Sequence, residues 1–370
     1  MHRRVQYKKE KIMTRLQKFQ AKMAEKAGAA LVTSWQNQFY LSEFRYDDGY
    51  LVILPDAAYL LADFRYIEAA KKGAAEGFTV IRPTGTMNEA VKELLAKHKV
   101  DTLLLEEANV TVAQKERLAT VLEGVALISG GSKLFTDMRL FKDERELSAM
   151  AAAQELTDAA FAHILTYLRP GIREIDVALE LEFFMRKNGA EGLAFDTIAV
   201  SGTASALPHG VPRDMELENG FLTMDFGARF GGYCSDMTRT VVIGKADDEM
   251  KRLYNTVLAA QTAALAAAKG GMSCKALDKV ARDIINGAGY EGRFGHSLGH
   301  GIGIDVHESP RVAPRAADDE LLLPGHVVSC EPGIYIEGKY GCRIEDMIAV
   351  NADGSIRNFT KSPKALIEIV

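Results

Sequence analysis

The sequence predicts an α/β protein of the α+β type, in which a smaller α/β domain precedes a larger one. Its 370 residues exceed the ~150 residues of a usual domain, so two domains are expected. Helical and strand-like segments alternate up to about residue 140, and an order of two helices followed by antiparallel strands then occurs twice, as a pseudo-two-fold repeat. We expect an N-terminal extension at residues 1–12, a first domain at 13–140 and a second domain at 141–370.

The composition indicates a folded protein that acts on a small molecule or a peptide. Hydrophobic residues make up 47% of the chain and charged residues 26%, which supplies a sizeable core and argues against disorder. The net charge of −5 has the wrong sign for a protein that binds nucleic acid through its phosphates. We therefore expect no nucleic-acid partner.

Cysteine usage and hydropathy predict a cytoplasmic protein. The four cysteines include no Cys-x-x-Cys pair, which favours reduced thiols. The basic N-terminus is not followed by the apolar stretch of a secretory signal, and no uncharged run reaches the ~20 residues of a membrane helix. We expect no membrane association.

In the first domain, hydrophobic periodicity predicts helices that alternate with short apolar strands. The expected helices cover residues 14–27, 87–97 and 112–122. The expected strands cover residues 29–33, 78–81, 102–105 and 126–128, together with two strands that a turn at 54–57 joins into a hairpin. Trp35, the one tryptophan of the chain, is expected to pack within this domain.

In the second domain, the charged segment at 142–146 opens a long helix that Pro170 and Gly171 end. The first half of the expected repeat consists of helices at 143–168 and 173–188 and strands within 194–242. The second half consists of helices at 247–269 and 273–287 and strands within 294–350. Such a duplication would place two sets of strands face to face, and that arrangement forms a site between them.

Four carboxylates lie in or beside the apolar strands of these two sets. Asp225 interrupts the run 221–226, and Asp236 follows on the returning strand; Glu331 and Glu345 occupy the corresponding places in the second half. A buried carboxylate is costly without a partner, so these acids are expected to share one.

A histidine-rich segment, 295–308, lies between the two acidic hairpins and contains three of the eight histidines. Carboxylate oxygens with an imidazole nitrogen suit Mn²⁺, Co²⁺, Fe²⁺ or Zn²⁺ better than Ca²⁺. Four carboxylates balance the charge of two divalent cations, which is typical of a two-metal hydrolytic site. The residues alone therefore predict metal-assisted hydrolysis.

Five strings carry a family resemblance: LPHG at 207–210, MDFGARFGGYCSDMTRT at 224–240, GHSLGHGIGIDVHESP at 295–310, EPGIYI at 331–336 and RIEDM at 343–347. Their order resembles the creatinase/prolidase/aminopeptidase P family, and most closely its bacterial-type Xaa-Pro dipeptidases and aminopeptidases. The resemblance implies a pita-bread fold for the catalytic domain. Residues 37–41 and 62–66 are similar to the creatinase-type first domain of this family.

The resemblance implies a role for each residue of the site. Two divalent metal ions per subunit are implied, with Mn²⁺ expected first and Co²⁺, Zn²⁺ or Fe²⁺ as alternatives. Asp225 would bind one metal, Asp236 and Glu345 would bridge both, and His300 and Glu331 would complete the second. The resemblance also implies five catalytic residues: His209, His296, His307 and Arg343, which do not bind metal, and Glu331, which does. The remaining histidines, His2, His98, His163 and His326, are expected on the surface or in packing.

The implied reaction is hydrolysis of Xaa-Pro bonds in dipeptides or short peptides by a homodimer. A methionine aminopeptidase-like enzyme would lack the first domain, and a creatinase-like hydrolase would lack the full ligand set. A non-catalytic pita-bread binding protein would carry broken ligand positions, whereas all five are intact here.

Two further expectations concern the thiols and assembly. Because neighbouring strand residues point to opposite faces, Cys330 and Cys342 should face away from the metals. The segment 42–48 is larger and more charged than the Gly-Ser run usual at this place in the family, and with Trp35 it could contact the cleft rim of a partner subunit.

Overall fold

The structure is a computed structural model, and it describes residues 13–370. The chain divides into two units, of which the first ends at Met138 and the second comprises Arg139–Val370. The expected N-terminal extension at 1–12, including His2, lies outside the described residues.

The first unit contains one mixed sheet of six strands in the order β4-β3-β2-β1-β5-β6. Its strands are β1 (Ala29–Val32), β2 (Gly49–Ile53), β3 (Ala58–Ala62), β4 (Thr79–Ile81), β5 (Thr102–Leu105) and β6 (Ala126–Ile128). Its helices are α1 (Arg15–Ala24), α2 (Trp35–Ser42), α3 (Ile67–Gly73), α4 (Met87–Lys97), α5 (Val112–Val121) and α6 (Gly131–Arg139), the last of which ends at the boundary between the units.

Local chemistry determines where several of these helices begin. Thr14, Thr86 and Thr111 each form a capping box, in which the threonine hydroxyl and a Gln or Glu side chain satisfy the first free N–H groups. Strands β1 and β3 are buried along their whole length and read as continuous apolar runs. The Leu-Pro-Asp-Ala turn joins β2 to β3 as the sequence predicts.

Helices α2, α3 and α6 are not among the helices that the periodicity predicts. Helix α2 carries no apolar stripe, because the polar residues Asn37 and Gln38 are buried. The buried carboxylate of Glu106 accepts hydrogen bonds from Ser34 Oγ at 2.6 Å and from Asn37 Nδ2 at 2.5 Å. It thus satisfies polar groups and places a negative charge at the N-terminus of the helix.

The second unit has two helix pairs and strands assembled in four sheets. The helices are α7 (Glu144–Tyr167), α8 (Glu174–Lys187), α9 (Asp248–Ala267) and α10 (Cys274–Ile285). The strands of the first half are β7 (Gly192–Leu193), β8 (Ile198–Ser201), β9 (Gly220–Phe226), β10 (Ala228–Phe230), β11 (Tyr233–Cys234) and β12 (Met237–Ile243). Those that follow are β13 (Gly299–Gly301), β14 (Glu308–Val312), β15 (Val327–Cys330), β16 (Gly333–Ile336), β17 (Tyr340–Arg343), β18 (Asp346–Val350), β19 (Ile356–Asn358) and β20 (Glu368–Ile369).

The two halves of this unit repeat one architecture, which confirms the predicted order of two helices followed by strands. The α7–α8 and α9–α10 connections have the same form: Leu168 and Ala268 end their helices with nearly identical dihedral angles, and Gly171 and Gly271 adopt φ of 86° and 81°. The larger sheets are ordered β20-β12-β9-β8 and β14-β13-β15-β18-β19.

Each half has its own hydrophobic core between its helix pair and its sheet. The first core includes Phe161, Leu181 and Met224, and the second includes Val257, Leu277 and Val328. Cys330 and Cys342 are buried in the second core. Among residues 13–370, none of the helices is both long enough and apolar enough to span a membrane.

Candidate active site

A cavity of about 660 Å³ in the second unit is lined by every residue that the sequence assigns to the site. The side chains come from strand ends and loops of both halves. They are Asp225, Asp236, Glu331, Glu345, His209, His296, His300, His307 and Arg343. The structure therefore brings together residues that are up to 136 positions apart in the sequence.

The first half contributes a hairpin of β9 and β12 that carries Asp225. Thr238 is the cross-strand partner of Asp225 in this hairpin. Arg343, from the end of β17, donates from Nη2 to Asp225 Oδ2 at 2.6 Å and from Nε to Thr238 Oγ1 at 2.9 Å. The Thr238 hydroxyl in turn donates to Glu345 Oε2 at 2.7 Å. These contacts link the acidic groups of the two halves.

Asp236, His300 and Glu345 form a compact donor set. One ligand atom from each residue lies within 4.8 Å of the others, and the three residues are buried or half-buried. His300 Nε2 is 3.6 Å from Asp236 Oδ2 and 3.2 Å from Glu331 Oε1. These three residues are therefore placed to hold a metal ion, and Glu331 lies beside them.

The tautomer of His300 is suited to metal binding. Its Nδ1 lies 3.1 Å from the carbonyl oxygen of Gly301, which can only accept, so Nδ1 donates to it, and Nε2, which pairs with Glu331 in this structure, is the nitrogen whose lone pair would bind a metal ion. The backbone N–H of His300 donates to Ser329 Oγ at 3.0 Å, and that hydroxyl donates to Glu331 Oε1 at 3.1 Å. Ser329 thus orients both a histidine and a carboxylate.

Two buried carboxylate oxygens of the site, Asp225 Oδ1 and Glu345 Oε1, accept no hydrogen bond from any described residue. Burial raises the pKa of Asp225, and the charge of Glu331 adds to the effect. Burial and neighbouring carboxylates also raise the pKa values of Asp236 and Glu345 well above their usual range. A divalent cation would satisfy the free oxygens and relieve this repulsion, so the residues present fit a metal ion.

Glu331 and His300 form an ion pair at the edge of this group. Burial alone would raise the pKa of Glu331, but the hydrogen bond and charge of His300, with His296 and Arg343, lower it to about 2. Burial would lower the pKa of His300, but the same carboxylate raises it. Glu331 is therefore the most readily ionised of the four acids.

A second chain of hydrogen bonds joins His296 to Arg343 through Tyr335. Arg343 Nη1 donates to the Tyr335 hydroxyl at 2.8 Å, and that hydroxyl lies 2.9 Å from His296 Nε2. The other ring nitrogen, Nδ1, lies 2.8 Å from the carbonyl oxygen of Ser297 and so donates to it. Tyr335 therefore donates to Nε2, and burial lowers the pKa of His296 and keeps its ring neutral.

His307 and His209 are exposed within the cavity. The His307 ring lies 4.3 Å from the His300 ring, centroid to centroid. No described residue forms a hydrogen bond with the imidazole of either His307 or His209. Both rings are therefore available to a bound molecule, and burial followed by the charge of His300 lowers the pKa of His307.

Three residues of this site escaped the sequence analysis: Thr238, Ser329 and Tyr335. Each lies inside or next to a recognised string, but its role depends on a partner in another strand, which spacing along the chain does not reveal. The cavity is also lined by Phe195 and Asp196 of the β7–β8 connection, Ile198 of β8 and Arg311 of β14, which lie outside the recognised strings, and by Val306, which lies inside one but was given no role.

The three described histidines outside the recognised strings do not line the cavity and have partners of their own. His98 hydrogen-bonds the Tyr59 hydroxyl at 2.7 Å, and His163 pairs with Glu180 at 2.6 Å. His326 is buried against Phe141.

Two family models match this chain. Residues 148–352 match the model of metallopeptidase family M24, and residues 15–141 match the creatinase/prolidase N-terminal domain. Together these two matches extend over nearly all the described residues.

Relatives and solved structures agree with these matches. The Xaa-Pro dipeptidase of Pyrococcus horikoshii is 37% identical over 344 residues, which are 92% of this chain and 94% of that protein. The solved Xaa-Pro dipeptidase from Bacillus anthracis superposes with a TM-score of 0.91 at 39% identity, covering 96% of this chain and 99% of that one. The X-Pro aminopeptidase from Thermotoga maritima superposes with a TM-score of 0.87 at 37% identity, covering 93% of this chain and 98% of that one.

Proposed function

Because this chain belongs to metallopeptidase family M24, we propose that its peptidase activity is the hydrolysis of Xaa-Pro bonds in dipeptides or short peptides. The observation that carries this proposal is the cavity lined by Asp225, Asp236, His300 and Glu345, in which Asp225 Oδ1 and Glu345 Oε1 are buried without a hydrogen bond from any described residue. The Xaa-Pro dipeptidase relative, which aligns over 92% of the chain, supplies the substrate class.

Two divalent cations per subunit are part of the proposal. Asp225 would hold one, Asp236 and Glu345 would bridge both, and His300 and Glu331 would complete the second. The charge supports this stoichiometry, because four carboxylates balance two divalent cations. When bound, the cations would polarise the scissile carbonyl and lower the pKa of a water molecule.

The residues around these ligands hold and move protons. Arg343 donates to Asp225 Oδ2 and opposes the rise in the pKa of Asp225 that burial causes, so Oδ1 would be the oxygen left to bind a cation. Glu331, whose carboxylate lies 3.2 Å from His300 Nε2, can accept a proton at its carboxylate and pass it to the leaving amine. His307 and His209 are free to donate to oxygen atoms of the substrate, and an N–H directed at the developing oxyanion stabilises the transition state.

To recognise an Xaa-Pro bond, the cavity must fit the shape of the proline ring, because this bond offers fewer hydrogen-bonding groups than an ordinary peptide bond. The amide of an Xaa-Pro bond has no N–H and a restricted φ, so the donor used to recognise ordinary peptides is missing. Phe195, Ile198 and Val306 supply apolar walls of the cavity. We propose that these walls bind the pyrrolidine ring, with the histidines on the polar side.

The finer parts of the proposal concern the metal, the substrate length, assembly and compartment. Mn²⁺ is proposed as the metal, with Co²⁺, Zn²⁺ or Fe²⁺ as alternatives. A homodimer in the cytoplasm is proposed, with the exposed residues Arg45 and Asp47 of segment 42–48 at the rim of a partner's cleft. Solved relatives carry both the dipeptidase and the aminopeptidase titles, so both substrate lengths belong in the test.

The test is an activity panel with each metal added separately to metal-stripped protein. Ala-Pro reports dipeptidase activity, Ala-Pro-Pro reports aminopeptidase activity, Met-Ala-Ser reports a methionine aminopeptidase-like enzyme, and creatine reports a creatinase-like hydrolase. We expect release of proline or of Pro-Pro, and two bound metals per chain. Cleavage of Met-Ala-Ser or creatine alone would overturn the proposed substrate class.

A further inference from the structure

The loop between β13 and β14, residues 302–307, carries His307 into the cavity. Since no described residue forms a hydrogen bond with its imidazole, the backbone of this loop determines where the ring lies. The first part of the loop is tied to the β11 strand: Cys234 N–H donates to the carbonyl of Gly303 at 2.8 Å, and its Sγ to that of Ile304 at 3.3 Å.

The second part of the loop is tied to Glu308, the residue after His307. Its carboxylate is only 8% exposed, and Oε1 accepts the backbone N–H of Asp305 at 3.1 Å. A Cβ added at Gly303 would lie 2.5 Å from Oε2, so the loop packs directly on this carboxylate. Glu308 therefore contacts the loop at Gly303 and at Asp305, two residues before His307.

Two cations from the start of the second unit hold Glu308 in turn. Lys142 Nζ donates to Oε2 at 3.2 Å from a side chain that is 1% exposed. Arg139 Nη2 donates to Oε1 and, at 2.8 Å, to Asp305 Oδ2. The two cations balance the two acids, so the cluster buries little net charge. We call Arg139, Lys142, Asp305 and Glu308 the clamp.

The clamp has features that packing alone does not require. It uses charged groups at a buried place, where apolar residues of the same volume are often equally stable. The ionic groups add direction, because the two oxygens of Glu308 have separate partners: Oε1 accepts from Arg139 and the Asp305 N–H, and Oε2 accepts from Lys142. The carboxylate can then satisfy all of its donors only in one orientation of the loop.

We propose that the clamp is a positioning device for His307, with Lys142 and Glu308 as positioning residues for the reaction. This inference rests on the proposed function, in which His307 contacts the substrate. Loss of the clamp would leave the metal ligands in place and let the His307 loop move. A displacement of ~1 Å at a reacting group can cost ~10²-fold in rate.

The test is a double-mutant cycle between Lys142→Met and His307→Ala, using the enzyme loaded with Mn²⁺ and Ala-Pro as substrate. Lys142→Met keeps the length of the side chain and removes its charge. We expect it to lower kcat at least about tenfold, with KM changed less than about threefold and bound Mn²⁺ unchanged. In the His307→Ala background the same change should lower kcat less than about twofold, because the group that the clamp positions is gone.

Two controls separate positioning from stability. Lys142→Arg keeps the cation and should recover most of the kcat that Lys142→Met loses. Asp158→Asn removes a different carboxylate, one that accepts hydrogen bonds from the backbone N–H groups of Lys361 and Ser362 and does not line the cavity. This change should lower the melting temperature without changing kcat. If Lys142→Met does not fold, the double variant Lys142→Met/Glu308→Gln replaces it. This variant removes the negative charge of Glu308 together with the positive charge of Lys142.

The outcomes distinguish this inference from the proposed function. A fall in kcat of the same size in both backgrounds, or no fall in the wild-type background, would overturn the inference. Hydrogen exchange in peptides covering 302–308 gives a readout without activity, and Lys142→Met should speed it while Asp158→Asn does not. Wild-type protein that cleaves neither Ala-Pro nor Ala-Pro-Pro would overturn the proposed function alone, and unchanged exchange at 302–308 would overturn the clamp alone.

Discussion

Thr238 lies directly opposite Asp225 across the β9–β12 ladder, and its hydroxyl donates to Glu345 Oε2 at 2.7 Å. The same hydroxyl accepts from Arg343 Nε at 2.9 Å. A threonine of the first half thus orients a carboxylate of the second half and receives its own orientation from Arg343. This hydroxyl, together with the bond from Arg343 to Asp225, links the two acidic hairpins.

We predict that Thr238→Val weakens metal binding about 10- to 100-fold, as losing such a partner of a ligand typically does. Valine has the volume of threonine but cannot donate to Glu345, so that carboxylate loses its fixed direction. Titration of metal-stripped protein with Mn²⁺ measures the effect. Thr238→Ser keeps the hydroxyl and serves as the control, and equal Mn²⁺ affinity for the valine and serine variants would contradict the prediction.

Elements with strong local signals could be predicted from the sequence. Helix α4 and strands β5 and β6 begin and end where the periodicity places them. Helix α1 ends at Ala24, before the expected residue 27, because Glu25 closes it as a C-cap. Helix α2 could not be predicted, because its buried polar face depends on Glu106, a residue about seventy positions away that periodicity does not connect to it.

The sequence predicts those residues of the site whose own side-chain chemistry is informative, and it does not predict those whose role depends on a partner in another strand. Asp225 in an apolar strand is visible in the sequence, because a buried charge there requires a partner. Thr238 and Tyr335 are not visible, because their hydroxyls matter only through Glu345, Arg343 and His296 in other strands. Lys142 and Glu308 read as ordinary surface charges until the fold buries them together.

We predict that thiol reagents leave the native enzyme active. All four cysteines are buried, and burial raises the pKa of each thiol, to about 11 for Cys234 and about 12 for Cys274 and Cys342. Little thiolate is therefore present at neutral pH. A colorimetric thiol assay should find almost no rapid reaction in the native protein and reaction of all four in denaturant. Fast inactivation with the label at Cys330 would contradict the prediction.

We predict that His326 makes the free energy of unfolding depend on pH. Its side chain is buried, Nδ1 accepts the Leu323 N–H at 3.3 Å, and burial with the charge of Lys142 lowers the pKa to about 4. The unfolded value is about 6.5, so the neutral ring stabilises the fold fully above that pH, and this contribution is lost as the pH falls towards 4.

Urea unfolding at two pH values measures this contribution. The loss between about pH 7 and pH 5 should be about 2 kcal/mol larger for the wild type than for His326→Asn, whose side chain does not titrate. The asparagine oxygen can still accept the Leu323 N–H, so the variant serves as a matched control. Equal losses for the two proteins would show that His326 does not titrate in this window.

The last prediction separates metal ligands from residues that act on the substrate. Asp236→Asn removes one of the negative charges proposed to hold two cations together, so metal content and activity should fall in parallel. His307→Ala leaves the four carboxylates and His300 in place, so two metals should remain bound. It removes a donor to the developing oxyanion, and the loss of one such donor typically lowers kcat ~10²- to 10³-fold.

Metal analysis of both variants after purification with Mn²⁺, together with kcat for Ala-Pro, distinguishes the two roles. Asp236→Glu, which keeps the charge, should retain more metal than Asp236→Asn and so separates the loss of charge from the change of shape. The geometry requires this difference, because Asp236 lies 3.6 Å from His300 Nε2, whereas His307 meets His300 only through its ring. A metal-free His307→Ala enzyme alongside an Asp236→Asn enzyme with both metals would reverse the assigned roles.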